Sequence, residues 1–102
     1  MGERGRAVAV KIIIDRKVKK GKESDFLRLL GDLRSKAVPS RGYISGETLR
    51  ASDNPHHYVV ISTWQSVDTW KEWERSPDRK KIQNEMEKLM VRPTKTKIYV
   101  YA

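Results

Sequence analysis

The residues of this chain that could do chemistry are few, and most are aromatic. Three tryptophans, Trp64, Trp70 and Trp73, fall within ten positions of one another, and four tyrosines include Tyr43 and Tyr58. Each such side chain offers a flat apolar surface with one polar atom. That suits the wall of a pocket, although in small domains large aromatics more often pack the core. His56 and His57 are the two histidines, and histidine is the side chain readiest to act as a base near neutral pH. They follow Pro55 at a turn, where a histidine pair is more often solvated than catalytic. Asn84 falls in the middle of a helical stretch, where asparagine is mildly unfavourable. It is therefore either exposed, the simpler reading, or turned toward a pocket.

Several reaction classes drop out. There is no cysteine, which removes disulfides, thiolate nucleophiles and cysteine-based zinc sites. There is no His-Glu-x-x-His run, no acidic calcium loop and no nucleotide-binding glycine loop, so no metal site is expected. No serine sits in a nucleophile elbow. Glu85 and Glu87 with Lys81 and Lys88 read as a solvated helix face.

The elements that must position these residues are legible from hydrophobic periodicity. Val8 to Asp15 alternates as a strand, with Val8, Val10, Ile12 and Ile14 on one face. Arg16 to Lys22 is polar, contains Gly21 and reads as a connection. In Glu23 to Val38, Phe26, Leu29, Leu30, Leu33 and Ala37 follow one helical face. Pro39-Ser40-Arg41-Gly42 ends it. Tyr43 to Ala51 reads as a second strand, in which Gly46 marks a bulge or a close backbone approach. Ser52-Asp53-Asn54-Pro55 is turn chemistry. His57 to Trp64 is the clearest strand, with Tyr58, Val60, Ser62 and Trp64 on one face and His57, Val59, Ile61 and Thr63 on the other. The two strands predict a hairpin.

Ser66 can cap a short helix with Asp68 in its first turn. Ser76-Pro77-Asp78 then restarts a helix, with a capping serine, proline at the first helical position and an acid next. Ile82, Met86, Leu89 and Met90 would form its buried stripe, stopped by Arg92-Pro93. Lys95 to Tyr101 reads as the last strand, with Tyr99 and Tyr101 on one side. The order strand, helix, strand, strand, helix, strand predicts an α+β, ferredoxin-like βαββαβ fold, an antiparallel sheet with helices on one face.

The 102 residues fit one domain spanning 1–102, with residues 1–7 expected as a flexible N-terminal tail. Apolar residues make up 37% and charged residues 34%, with a net charge of +9. The periodicity argues for a folded chain with a heavily solvated exterior. A basic balance attracts anions, but lysines solvating helices and the turn around Gly21 explain it without a nucleic-acid partner. Val8 to Ile14 is too short for a secretory leader, and no apolar run is long enough to cross a membrane. A cytoplasmic protein with no membrane partner is the expectation. Apolar residues on both faces of the first and third strands ask for a cover on the bare sheet face. A homodimer through sheet faces supplies it most simply.

The stretch Tyr58-Val59-Val60-Ile61-Ser62-Thr63-Trp64-Gln65-Ser66-Val67-Asp68-Thr69-Trp70-Lys71-Glu72-Trp73-Glu74-Arg75-Ser76 resembles the antibiotic biosynthesis monooxygenase family. An apolar strand ends in Trp, a Ser starts a helix, another Trp follows, and a Ser begins the next helix. Gly42-Tyr43 and Pro55 to Tyr58 fit the same layout. The resemblance runs from about Val8 to Tyr101 and implies a dimeric α/β barrel, with a pocket between sheet and helices in each subunit. Members include cofactor-independent monooxygenases of phenolic or quinol substrates and haem-degrading monooxygenases.

For the haem branch, similar proteins place an Asn on the first strand, a Trp on the short helix and an axial His on the next helix. Trp73 matches the Trp. Gln83 stands where the His is expected and Ile14 where the Asn is expected, and glutamine is a poor iron ligand beside imidazole. The resemblance therefore implies no cofactor, with haem disfavoured. In the cofactor-free branch the substrate, once deprotonated, passes an electron to oxygen itself. The protein supplies a dry pocket, donors for a forming oxyanion and a base. Trp73, Asn84 and His57 are the catalytic candidates on this reading. Trp64, Trp70, Tyr43, Tyr58 and Arg79 are the substrate-binding candidates. Trp73 stands level between pocket wall and core residue.

Three functions compete. The first is a monooxygenase acting on a small aromatic or quinol-type ligand. The second is a dimer that binds such a ligand without turnover. The third is nucleic-acid binding, which is disfavoured because the central strands lack the glycine-and-aromatic pattern of RNA-binding domains of this fold.

Overall fold

The computed structural model describes residues 8–102, so the expected tail at 1–7 lies outside the described residues. The chain runs β1 (Val10–Lys17), α1 (Glu23–Ala37), β2 (Tyr43–Arg50), β3 (His57–Trp64), α2 (Val67–Glu74), α3 (Pro77–Glu87) and β4 (Lys95–Val100). The strands form one antiparallel sheet in the order β2-β3-β1-β4. This is the ferredoxin-like arrangement expected, with α2 and α3 as separate helices.

Register fixes what faces what. Val10, Ile12, Ile14 and Arg16 of β1 are all buried, while the residues between them are only half-buried. Val10 pairs with Trp64, Ile12 with Ser62, Ile14 with Val60 and Arg16 with Tyr58. This inner face meets the helices. Phe26 and Leu33 of α1, Trp70 and Trp73 of α2 and Met86 of α3 complete the core with Trp64 and Tyr58. The strand starts and ends two residues later than the alternation suggested. Arg16 therefore belongs to the inner face of a strand, not to a loop.

Local chemistry sets the helix ends. Ser66 and Thr69 form a reciprocal capping box that starts α2. Ser76 accepts from the Arg79 backbone N–H, and Pro77 opens α3. Gly42 turns the chain into β2 at φ +87°, and a Cβ there would collide with the side chain of Thr69. A bulge shifts the β2 register between Tyr43 and Ser45. Gly46 meets the expected close approach, since a Cβ there would lie 2.8 Å from the Tyr43 hydroxyl. One boundary differs more. The α3 helix ends at Glu87, and Met90 reaches the core by bridging Val18 across the chain connection.

The outer face of the sheet carries Ile13, Leu49, Val59, Ile61 and Tyr99, with Leu49 45% and Tyr99 46% exposed. No helix among the described residues is long and apolar enough to cross a membrane.

Candidate active site

A cleft opens between the inner sheet face and the helices. Its empty space, counted with the open mouth, is about 530 Å³. Ile14, Val60 and Ser62 form its sheet wall, and Leu30, Leu33 and Ala37 of α1 face them. Its far end is aromatic. Trp64 stands at the end of β3, and Trp70 and Trp73, three apart on α2, present the same buried face of that helix. The Trp64 ring lies 5.8 Å from Trp70 at 66° and stacks 6.4 Å from Trp73 at 17°. Tyr43 meets Trp64 edge-on at 5.3 Å. Such pairs hold one another by ring quadrupole geometry. The Trp64 indole N–H donates to Ser62 Oγ at 3.1 Å.

Two guanidiniums are buried in the cleft, and the exposed Arg34, Glu47 and Thr48 line its rim. Arg79, in the first turn of α3, lays its guanidinium over the Trp70 ring at 5.2 Å, a cation–π contact. Arg16 enters from β1 and is 1% exposed. One of its terminal nitrogens donates to Gln83 Oε1 at 2.7 Å. Gln83 in turn donates to Thr94 Oγ1 at 2.9 Å and to the Glu87 carboxylate. Neither Arg16 nor Arg79 makes a salt bridge among the described residues. Burial, then the like charge of Arg79, pushes the Arg16 guanidinium down to about 9, with Glu87 pulling the other way. Burial also lowers Arg79, against Glu74 and Glu87. Both remain cations at neutral pH.

Among the described residues, the buried side-chain polar atoms without a hydrogen-bond partner are Arg16 Nε, Trp70 Nε1, Arg79 Nε and His56 Nδ1. His56 Nδ1 nevertheless touches the Glu23 carboxylate. The other three belong to residues lining the cleft, and all three are N–H donors.

A family model described as antibiotic biosynthesis monooxygenase matches residues 9–85, most of the chain. The chain belongs to this family. Solved structures agree on the fold. A conserved protein from Methanosarcina mazei Go1 superposes with a TM-score of 0.89 at 20% identity, covering 94% of this chain and 95% of that one. SnoaB, a cofactor-independent oxygenase from Streptomyces nogalater, gives 0.84 at 17% identity, covering 94% and 95%. Rv0793 from Mycobacterium tuberculosis gives 0.84 at 17%, covering 92% and 95%. A search of curated protein sequences gave no match.

Of the family-implied site residues, Tyr43, Trp64, Trp70, Trp73 and Arg79 line the cleft. Three others do not. Tyr58 is buried against Phe26, with ring centroids 4.9 Å apart, in the core beyond the cleft. His57 lies on the outer sheet face, where its Nε2 meets Asp15 Oδ2 at 3.0 Å, because strand alternation turns it away from Trp64. Asn84 is exposed on α3. None of these three lines the cleft, and Asn84 takes the exposed position, its simpler reading. Arg16 was missed, although it continues the Val10, Ile12, Ile14 alternation by one step.

The haem branch also meets these residues. Gln83, at the position where an axial histidine is expected, spends its carbonyl on Arg16 and its amide nitrogen on Thr94 and Glu87. Ile14 brings a hydrocarbon to the wall. This residue set does not fit a haem iron.

Proposed function

We propose that this protein is a cofactor-independent monooxygenase that oxidises a small aromatic or quinol-type substrate in the cleft between sheet and helices. The observation that carries this reading is the cleft itself, walled by Tyr43, Trp64, Trp70 and Trp73 and edged with unpaired N–H donors, in a chain of this family. SnoaB, similar in fold, is described as a cofactor-independent oxygenase.

The chemistry asked of the protein is modest. The substrate loses a proton and gives an electron to dioxygen. Recombination places one oxygen atom on the substrate carbon, and the other leaves as water. For a methylene carbon, CH₂ plus O₂ becomes C=O plus H₂O, and the substrate supplies both reducing equivalents. The cationic cleft favours the ionised substrate, the indole walls hold its ring plane, and the closed end limits water. Trp73 would be a positioning wall. The reading sets the reaction in the cytoplasm. It pairs two copies through Ile13, Leu49, Val59, Ile61 and Tyr99, so the protein should sediment at twice the mass of one chain. A monomer would remove that part of the reading.

The test is oxygen consumption by purified protein with quinols, anthrones and naphthols, and with Trp73→Phe alongside. Uptake above autoxidation, reduced on the order of tenfold in the variant, is expected. Uptake no greater than autoxidation across the panel would count against turnover. It would favour the ligand-binding reading if the same compounds still quench the tryptophan fluorescence.

A further inference from the structure

Burying a guanidinium without a counter-charge is expensive. The usual solution is a carboxylate partner or a full set of hydrogen bonds. The cleft departs from this twice. Arg16 and Arg79 are 1% and 7% exposed, and among the described residues neither has a carboxylate in salt-bridge contact; Glu87 acts on both, and Glu74 on Arg79, from beyond that reach. Among the described residues Arg16 engages the carbonyl of the Gln83 amide, and Arg79 rests on the Trp70 ring. Each Nε–H is left over, as is the Trp70 indole N–H. Buried polar groups are nearly always satisfied, so three orphans around one cavity need an explanation. All three are donors, so the missing group is an acceptor. Two of them carry full positive charge, so an anionic acceptor recovers most of the lost solvation.

We propose that Arg16, Arg79 and Trp70 form a seat for an oxyanion, and that the ligand of this cleft is an aromatic compound bearing one. A ring-bound carboxylate is the form that two guanidinium groups fit best, since its two oxygens accept from two donors at once. An ionised phenol oxygen shares the same chemistry. In this seat the tryptophan wall packs against the ring, and the Nε–H and indole donors, all on residues that line the cleft, are the groups left to take up the charge. Gln83 is a positioning residue, holding the Arg16 guanidinium through a bond that leaves Nε free. This inference rests on the cleft being the substrate site, but it does not need turnover.

The experiment is equilibrium binding, read by tryptophan quenching at pH 7 with three probes of one shape. 1-Naphthoate is always an anion there, 1-naphthol ionises only if the site favours it, and 1-naphthalenemethanol stays neutral. Naphthoate should bind at least tenfold more tightly than the neutral alcohol. Bound naphthol appearing with the absorbance of naphtholate would assign the seat to a phenol oxygen instead, and would equally support an oxyanion site. Arg16→Met and Arg79→Met should each erase the preference while leaving affinity for the alcohol intact, which shows the variants are folded. Arg16→Lys should restore only part of it.

Equal affinity for acid and alcohol, with naphthol bound neutral, would overturn the oxyanion seat and leave the cleft as an apolar ligand site. A preference that survives both methionine variants would overturn it too. No binding of any probe would sink both the seat and the cleft reading.

Discussion

Asp15 and Arg16 are neighbours on β1 that point to opposite faces of the sheet, and their charges meet opposite surroundings. On the outer face, Asp15 accepts from Arg92 at 2.5 Å and meets His57 at 3.0 Å. That group is balanced within the chain and half in water. On the inner face, Arg16 is sealed from water with a neutral amide as its bonded partner, a second cation, Arg79, nearby, and the Glu87 carboxylate acting only from beyond salt-bridge reach. The outer group is complete, as a structural cluster should be. The inner one is open, and open polar groups at a buried cavity are what a binding site looks like before its ligand arrives.

Truncating each arginine separates the two faces most strongly. Arg92→Met removes one partner of Asp15 and should cost about 1 kcal/mol, given that both side chains are partly exposed. Arg16→Met removes a buried cation and replaces it with a side chain that can pack. Its loss of the Gln83 bond, about 1 kcal/mol, should be offset by relief of desolvation. The result should be neutral or stabilising by up to about 1 kcal/mol. Urea denaturation at one protein concentration reads both. A clear loss of stability in Arg16→Met, larger than in Arg92→Met, would mean that Arg16 is structural and the contrast is false.

How far the sequence shows this contrast depends on the range of each signal. Ser66 and Ser76-Pro77 announce α2 and α3 because a cap is local, readable within four residues. The inner face of β1 is visible as Val10, Ile12 and Ile14. Arg16 escapes because a charged residue in a basic, glycine-bearing run reads as a turn. Only the paired strand β3 shows that the ladder continues to His57. Alternation already puts His57 and Trp64 on opposite faces of β3, so the two could not line one cleft on a single side. The apolar stripe of α3 overshoots, since Met90 packs from a bridge after the helix rather than from a further turn. The donors without partners are invisible in sequence, because they depend on three elements meeting.

A smaller effect sharpens the outer side of the comparison. Burial pushes the Asp15 carboxyl up, but hydrogen bonds and charge from His57 and Arg92 outweigh it and hold the group below its ordinary 3.8. A depressed folded pKa lends stability that is present above the unfolded value and lost as pH falls through the folded one. Asp15→Asn should therefore lower stability by roughly 0.5 kcal/mol at pH 6, with the difference from the parent fading below about pH 4. An unchanged difference at pH 3 would remove the ionic role of Asp15.

The most direct measurement follows the arginine Nε–H resonances by nuclear magnetic resonance while 1-naphthoate is added. The Arg16 and Arg79 signals should shift downfield together and saturate with the same affinity as the tryptophan quenching, while that of Arg92 stays in place. Movement of Arg92 alone, or saturating quenching with Arg16 and Arg79 unmoved, would contradict the claim that the inner face holds its cations for a ligand.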